Sequence, residues 1–278
     1  MCHVSQAKVY LVGAGPGDPE LLTLKGRRLL EQAEVVIYDR LVGDGVLEFV
    51  NPSAELVFVG KESSNHSSPQ EEINRLISTH AKRGKKVVRL KGGDPYIFGR
   101  GGEEATHLFN EGIPFEVVPG VTAASGVAAY AGIPLTDRRY SAAVTFITGH
   151  RMKGEGIDNL NWSALAELNH TIVFYMGVAN IAEITRRLIE NGRPSTTPSA
   201  LVSRGSTPDQ KTVLGTLSDI SKKAFENNVK PPALLVIGEV VNLSAVLNWF
   251  EQGEASFDDE PLRAVSFRTA VEKTPAFG

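Results

Sequence analysis

Cysteine is nearly missing from this chain of 278 residues: Cys2 is the only one. An internal disulfide and any multi-cysteine metal site are thereby excluded. The six histidines (His3, His66, His80, His107, His150 and His170) show no paired ligand spacing, so no metal is expected. Basic charge is not in excess either. Lys and Arg number 29 against 32 Asp and Glu, a formal net charge of -3, and nothing global draws the protein to nucleic acid or to a membrane surface. No apolar run approaches the ~18 residues that a membrane helix needs. The opening MCHVSQAKVYLVG has no basic stretch followed by an apolar core, so a cytoplasmic setting is expected. Ser125 in AASGV lacks the G-x-S-x-G frame of a serine hydrolase.

What is present is alternation. The runs KVYLVG, EVVIYD, LVFVG, KVVRLKG and FEVVPG are short, rich in Val, Ile and Phe, and mostly end at Gly or Asp. They read as buried strands of a largely parallel sheet. Between them, ELLTLKGRRLLEQA and EEINRLISTHAKRG repeat apolar positions every three to four residues and predict amphipathic helices. EEATHLFNEG and TAASGVAAYAG fill the remaining gaps, and Asp18 before Pro19 predicts an N-cap with proline in the first helical position. IPLTDRRYS (133–141) breaks the pattern. A second set follows, with strands AAVTFITG, TIVFYMG, PSALVSRG, KTVLGTL and ALLVIGEV and helices IAEITRRLIENG and NLSAVLNWFEQG. The expected organisation is an N-terminal α/β domain over 1–136, a C-terminal α/β domain with a mixed sheet over 137–253, and a mobile tail over 254–278.

The first strand runs into VGAGPGDPE, close to a dinucleotide fingerprint G-x-G-x-x-G. Gly13 and Gly15 fill the first two glycine positions, but Asp18 occupies the third. Its charge would stand where a pyrophosphate sits at a helix N-terminus, and Pro16 and Pro19 remove two N–H donors. Asp39, ending the second strand, is the one feature that suits a ribose. A nicotinamide oxidoreductase is therefore the weaker rival. A tight turn hostile to phosphate still lets the backbone approach a neutral or cationic ligand. KGGDPYIFGRGGEE places Gly92, Gly93, Asp94 and Pro95 directly after another strand, and VVPGVTAAS offers Thr122 and Ala123 after a third. Three such loops at carboxyl ends of one parallel sheet predict a single crevice.

VGAGPGDPELLTLKG, KGGDPYIFGRGGEEA, VVPGVTAASGVAAYAGIPLT and the later FYMG together resemble the tetrapyrrole (corrin/porphyrin) methylase family, over about Lys8 to Trp249. The resemblance implies a folded S-adenosylmethionine in a cleft between the two domains. The positions it implies for that methyl donor are Pro16, Gly92, Gly93, Asp94, Ile97, Phe98, Thr122, Ala123, Met176 and Gly205. It implies uroporphyrinogen III as the acceptor, methylated twice on ring carbons to give precorrin-2, with Asp39 and Lys61 as the acid–base pair. An eight-carboxylate acceptor needs cations, for which Arg40, Arg100, Arg138 and Arg151 are the foremost candidates, followed by Arg139, Lys153 and Arg204. A homodimer is implied as well. The family also contains methylases of later precorrins and a branch acting on a protein. Some members are fused to an NAD-dependent module, for which two such domains leave no room in this length.

Overall fold

In a computed structural model, which describes residues 8–60, 70–149 and 157–250, the ten strand-like runs form ten strands in two sheets. The first sheet holds β1 (Val9–Gly13), β2 (Val35–Tyr38), β3 (Glu55–Phe58), β4 (Val87–Lys91) and β5 (Phe115–Val118) in the order β3-β2-β4-β1-β5. Every pairing in it is parallel. Apolar residues on both faces explain why these runs do not alternate. On one face, Val12, Val36, Val88 and Val118 pack with Leu29 and Leu30 of α1 (Leu24–Leu30) and Val46 of α2 (Asp44–Leu47). On the other, Leu11, Ile37 and Val87 pack with Ile77 of α3 (Gln70–Lys82) and Leu108 of α4 (Gly101–Asn110).

The second sheet joins β6 (Val144–Thr148), β7 (Thr171–Tyr175), β8 (Pro198–Ser203), β9 (Lys211–Thr216) and β10 (Ala233–Ile237) in the order β6-β7-β10-β8-β9. Only β6 and β7 are parallel. The others pair antiparallel, so this sheet is mixed. One face is covered by α6 (Trp162–Glu167), α7 (Ile181–Glu190) and α8 (Ile220–Glu226). The other face takes α5 (Ala123–Tyr130), whose Ala124, Val127 and Ala128 pack on Val173, Ala200, Val202 and Val236. The helix that follows β5 thus crosses from the first sheet to the second, and α5 becomes the joint between them.

Two helices differ from the sequence expectation. ELLTLKGRRLLEQA is not continuous: a 3-10 helix at Pro19–Leu21 ends at Leu22, whose backbone is extended. Thr23 then caps α1, its hydroxyl accepting from the Gly26 N–H at 3.0 Å. A threonine cap competes with helix continuation, and here the cap wins. NLSAVLNWFEQG likewise yields only a 3-10 turn (Glu239–Leu243) and α9 (Ser244–Leu247). Asn248 is extended, and the Trp249 indole donates to the Ala129 carbonyl at 3.0 Å. Helices α2, α6 and α8 were not expected. Each is short, and α6 owes its start to Asn161, whose side chain accepts from the Ala164 N–H at 3.1 Å.

The edge of the first sheet is clamped by Glu116 of β5, which pairs with both Lys25 and Lys8. Hydrogen bonds from Lys25 and Lys8 hold its carboxyl down to about 2. The folded pKa lies below the unfolded one, so the stabilisation is complete above the ordinary carboxylate value and fades as pH falls toward 2. With 26% of that side chain exposed, Glu116→Gln is expected to cost ~0.2–1 kcal/mol at pH 7. Thermal melts of variant and parent should converge near pH 2; a constant gap across pH would show that the charge pairs contribute nothing.

Candidate active site

The three glycine loops meet because β4, β1 and β5 are neighbours. Gly15 and Gly93 exchange backbone hydrogen bonds, the Gly93 N–H donating at 2.7 Å and the Gly15 N–H at 3.2 Å. A Cβ on Gly13 would lie 2.6 Å from backbone atoms of both Gly120 and Gly93. Asp94 fixes this junction, one carboxylate oxygen accepting from the Gly120 N–H at 3.0 Å and the other from the Tyr96 N–H at 2.8 Å. Gly92 abuts Leu41 of the loop after β2. Gly93, with φ +68°, has only the Ala123 nitrogen near its missing Cβ, at 3.7 Å, and so borders open space. The three loops anticipated from sequence do come together, and they meet through backbone.

The second domain approaches through α5 and the loop after β8. Pro16 lies against Gly126, Gly205 against Val127, and Gly17 against Thr207 and Gly205. A side chain at Gly17 or Gly126 would push the loop after β1 away from the second domain, and one at Gly205 would push the loop after β8 off α5. Asp18 faces the same joint. Its carboxylate accepts from the Glu20 N–H at 2.8 Å and from the Tyr130 hydroxyl at 2.5 Å. Burial, reinforced by that bond to Asp18, pushes the Tyr130 phenol up. The amide end of the first turn is thus filled by the chain's own carboxylate, and no cradle remains for a pyrophosphate.

Residues in the left-handed region gather here. Of the six described non-glycine residues with positive φ, five follow β4, β7 or β8: Phe98, Arg100, Met176, Arg204 and Ser206. Such conformations cost about 1–3 kcal/mol each and concentrate at functional sites. Ile97, Phe98 and Met176 are 37%, 40% and 51% exposed, an apolar rim on the loops that follow β4 and β7. The sequence reading missed the residue that orders this rim, Tyr175. Its hydroxyl accepts from the Ala124 N–H at 2.9 Å and pairs with the Thr122 hydroxyl at 2.7 Å, joining β7 to the start of α5. Its ring meets Phe98 at 4.8 Å and Phe146 at 5.9 Å. Burial pushes the Tyr175 phenol up, which keeps it a neutral hydrogen-bonding post. The only signal in sequence was a tyrosine ending an otherwise apolar strand, TIVFY. Beyond Phe98 an apolar depression of about 320 Å³ runs along β6, lined by Phe146, Ile147, Leu160 and Leu165.

Met176 offers a test of strain at the rim. Met176→Gly should raise stability by ~0.5–1 kcal/mol, the left-handed cost of a side chain less the entropy of glycine. The same change should weaken binding of S-adenosylhomocysteine, because the apolar cover is lost. A variant that is both less stable and unaltered in binding would assign Met176 to packing alone.

Asp39 stands at the end of β2 with both oxygens engaged. One accepts from the Leu41 N–H at 3.1 Å, the other from Arg89 at 3.2 Å. Its side chain is 25% exposed, whereas that of Arg89 is 4% exposed. Lys61, its expected partner, lies outside the described residues, as do Arg151 and Lys153. The cation candidates divide. Arg100 is held bidentately by Glu103 at 2.8 and 2.7 Å, Arg204 pairs with Asp209 and Arg139 with Asp137. Arg40 and Arg138 are exposed and have no ion pair among the described residues. No group of three metal-ligating side chains comes together among the described residues.

The donor set fits a sulfonium nucleoside. It combines a glycine floor, the Asp94 carboxylate, polar backbone, an apolar rim and no phosphate cradle. Comparison with known proteins gives the same direction. Residues 8–221 match the profile of the Tetrapyrrole (Corrin/Porphyrin) Methylases. A siroheme synthase of Acinetobacter baylyi is 57% identical over 244 residues, 88% of this chain and 53% of that protein. One from Nitrosomonas eutropha is 52% identical over 91% of this chain and 53% of its own length. The chain thus spans about half the length of the curated relatives it matches. Among solved structures, a uroporphyrin-III C-methyl transferase from Thermus thermophilus, complexed with S-adenyl homocysteine, is 43% identical with a TM-score of 0.73. That match covers 85% of this chain and 94% of that one. A cobalt precorrin-4 methyltransferase is 30% identical with a TM-score of 0.77, covering 87% and 98%.

Proposed function

We propose that this chain, which belongs to the tetrapyrrole (corrin/porphyrin) methylase family, is an S-adenosylmethionine-dependent C-methyltransferase that converts uroporphyrinogen III to precorrin-2. The product would serve sirohaem formation, cobalamin formation or both. The observation that supports this best is the crevice itself. Three backbone loops knitted by Gly13, Gly15, Gly93 and Gly120 face an apolar rim, while Asp18 blocks the place of a pyrophosphate. The likeness to the Thermus enzyme, seen with S-adenyl homocysteine, favours the same ligand in this crevice.

When bound, S-adenosylmethionine supplies an electrophilic sulfonium methyl group. The work left to the chain is positioning and proton handling. Gly92 and Gly93 let the backbone approach the nucleoside, Asp94 keeps the floor rigid, and Phe98 and Met176 exclude water from its apolar edges. Alignment of reacting atoms lowers the barrier by ~7–11 kcal/mol at the extreme. Methylation of a ring carbon releases a proton as the double bonds rearrange. In this reading Asp39 is the acceptor, directly or through a macrocycle nitrogen, with Lys61 as its expected counterpart. Arg40 and Arg138 are free to meet acceptor carboxylates, whereas Arg100 and Arg204 must first leave Glu103 and Asp209. A homodimer in the cytoplasm completes the reading.

Anaerobic incubation with uroporphyrinogen III and S-adenosylmethionine, followed by mass spectrometry, is the test. A gain of two methyl groups is expected. A gain of one or none assigns a different acceptor, and a later precorrin, which the likeness to the precorrin-4 enzyme favours, becomes the next to try.

A further inference from the structure

Beneath the crevice floor lies a charged cluster that the proposed chemistry does not use. Arg89 and Lys91 alternate on β4, and both side chains are only 4% exposed. Glu104 of α4 is fully buried, and a single oxygen of it accepts from the Arg89 Nε at 3.0 Å, the Lys91 Nζ at 3.0 Å and the Gln70 amide at 3.2 Å. The other oxygen has no partner among the described residues. Burying a carboxylate with one bare oxygen is costly, and simple structural needs would be met more cheaply by apolar residues. The remaining faces of the Arg89 fork are also spoken for. Nη1 donates to the Leu90 carbonyl at 2.8 Å and the Ile37 carbonyl at 3.4 Å, and Nη2 reaches Asp39. Burial pulls Lys91 down, with Arg89 adding to that pull, while Glu104 and Asp39 oppose it.

We infer that Glu104 is a positioning residue for Asp39, acting through Arg89. Glu104 fixes the guanidinium through Nε, and Nη2 of the same rigid plane then sets the rotamer of the Asp39 carboxylate. Lys91 and Gln70 keep Glu104 from turning. The inference rests on the proposed role of Asp39, and the relay joins the hydrophobic interior on the α3/α4 side of the sheet to the mouth of the crevice.

The test uses the full chain with Glu104→Gln, Arg89→Lys, Asp39→Asn and the two double variants that combine the first pair with Asp39→Asn. Methyl transfer to uroporphyrinogen III gives kcat and KM, and calorimetry gives the affinity for S-adenosylhomocysteine. Glu104→Gln should lower kcat at least tenfold, with KM and adenosylhomocysteine affinity unchanged within threefold. In the Asp39→Asn background the same change should alter kcat by less than threefold, since the group it serves is gone. Arg89→Lys keeps the charge but loses the fork and should show the same pattern, so it carries the test if Glu104→Gln does not fold. Equal losses in both backgrounds, or an unaltered kcat, would overturn the inference. Normal turnover by Asp39→Asn would instead remove the catalytic role of Asp39, and the relay with it.

Discussion

Replacing Gly120 by alanine should abolish binding of S-adenosylhomocysteine and cost the fold ~3 kcal/mol or more. An added Cβ would lie 2.3 Å from the Gly93 carbonyl oxygen, 2.8 Å from Gly13 Cα and 2.9 Å from Gly13 C. All three are backbone atoms at or just beyond the ends of the adjacent strands β1 and β4, so no side chain can swing aside. Relief requires the loop after β5 to move away from the ends of β1 and β4, which distorts the junction it packs on. Overpacking of this kind costs about 1–3 kcal/mol, and each hydrogen bond broken adds about 1. Three are at risk, the Gly120 N–H to Asp94 and the reciprocal pair between Gly15 and Gly93. Against a total of about 5–15 kcal/mol, that loss is large. Gly102→Ala is the matched control. Its Cβ would meet nothing within 4 Å on a helix, so a gain of ~0.5–1 kcal/mol is expected there. Denaturant melts and calorimetry on both variants decide the matter: similar behaviour of Gly120→Ala and Gly102→Ala would mean that the loops are not packed on one another.

That junction was legible in the sequence because glycine density after three strands has few other uses. The ten strands were legible for a related reason. Most are short Val- or Ile-rich runs with a turn signal after them, and both faces of the first sheet are covered. Helix limits were less so, since Thr23 as a cap and Thr23 as a helix residue look alike until Gly26 is seen packed on Val12. The Arg89–Glu104 pairing was hidden for a different reason. KVVRLKG and EEATHL each read as an ordinary element with surface charges, and only the packing of α4 on the sheet brings them together. A retrospective signal exists: Val87, Arg89 and Lys91 share one strand face, and a face that begins with valine in a parallel sheet has no solvent to offer its cations. Among the candidate arginines, the local acids were visible. Glu103 follows Arg100 by three and Asp209 follows Arg204 by five, and both pairs form. Arg40 has Asp44 four residues on and Arg138 follows Asp137 directly, so spacing alone did not mark them; Asp137 takes Arg139 instead, and Arg40 and Arg138 are left without an ion pair among the described residues.

Asp39→Asn should lower kcat for methyl transfer by ~10²–10⁴ while leaving adenosylhomocysteine affinity within threefold of the parent. Asparagine keeps the shape of the side chain and can still accept from the Leu41 N–H, so the turn that leads to Gly92 survives. What it loses is the negative charge opposite Arg89 and the capacity to take a proton. The first loss leaves a cluster of Arg89, Lys91 and Glu104 with one cation in excess. Because Asp39 is partly exposed, the cost to stability should stay near ~1–3 kcal/mol, below the loss of a fully buried pair. The second loss acts on the barrier alone, and a hundredfold fall in rate corresponds to ~2.7 kcal/mol. Stability and turnover therefore separate: a modest shift in the melt, an unchanged heat of adenosylhomocysteine binding and a large fall in kcat. If kcat falls only as far as binding does, Asp39 acts by shaping the loop at Gly92 and proton handling must be sought elsewhere in the crevice.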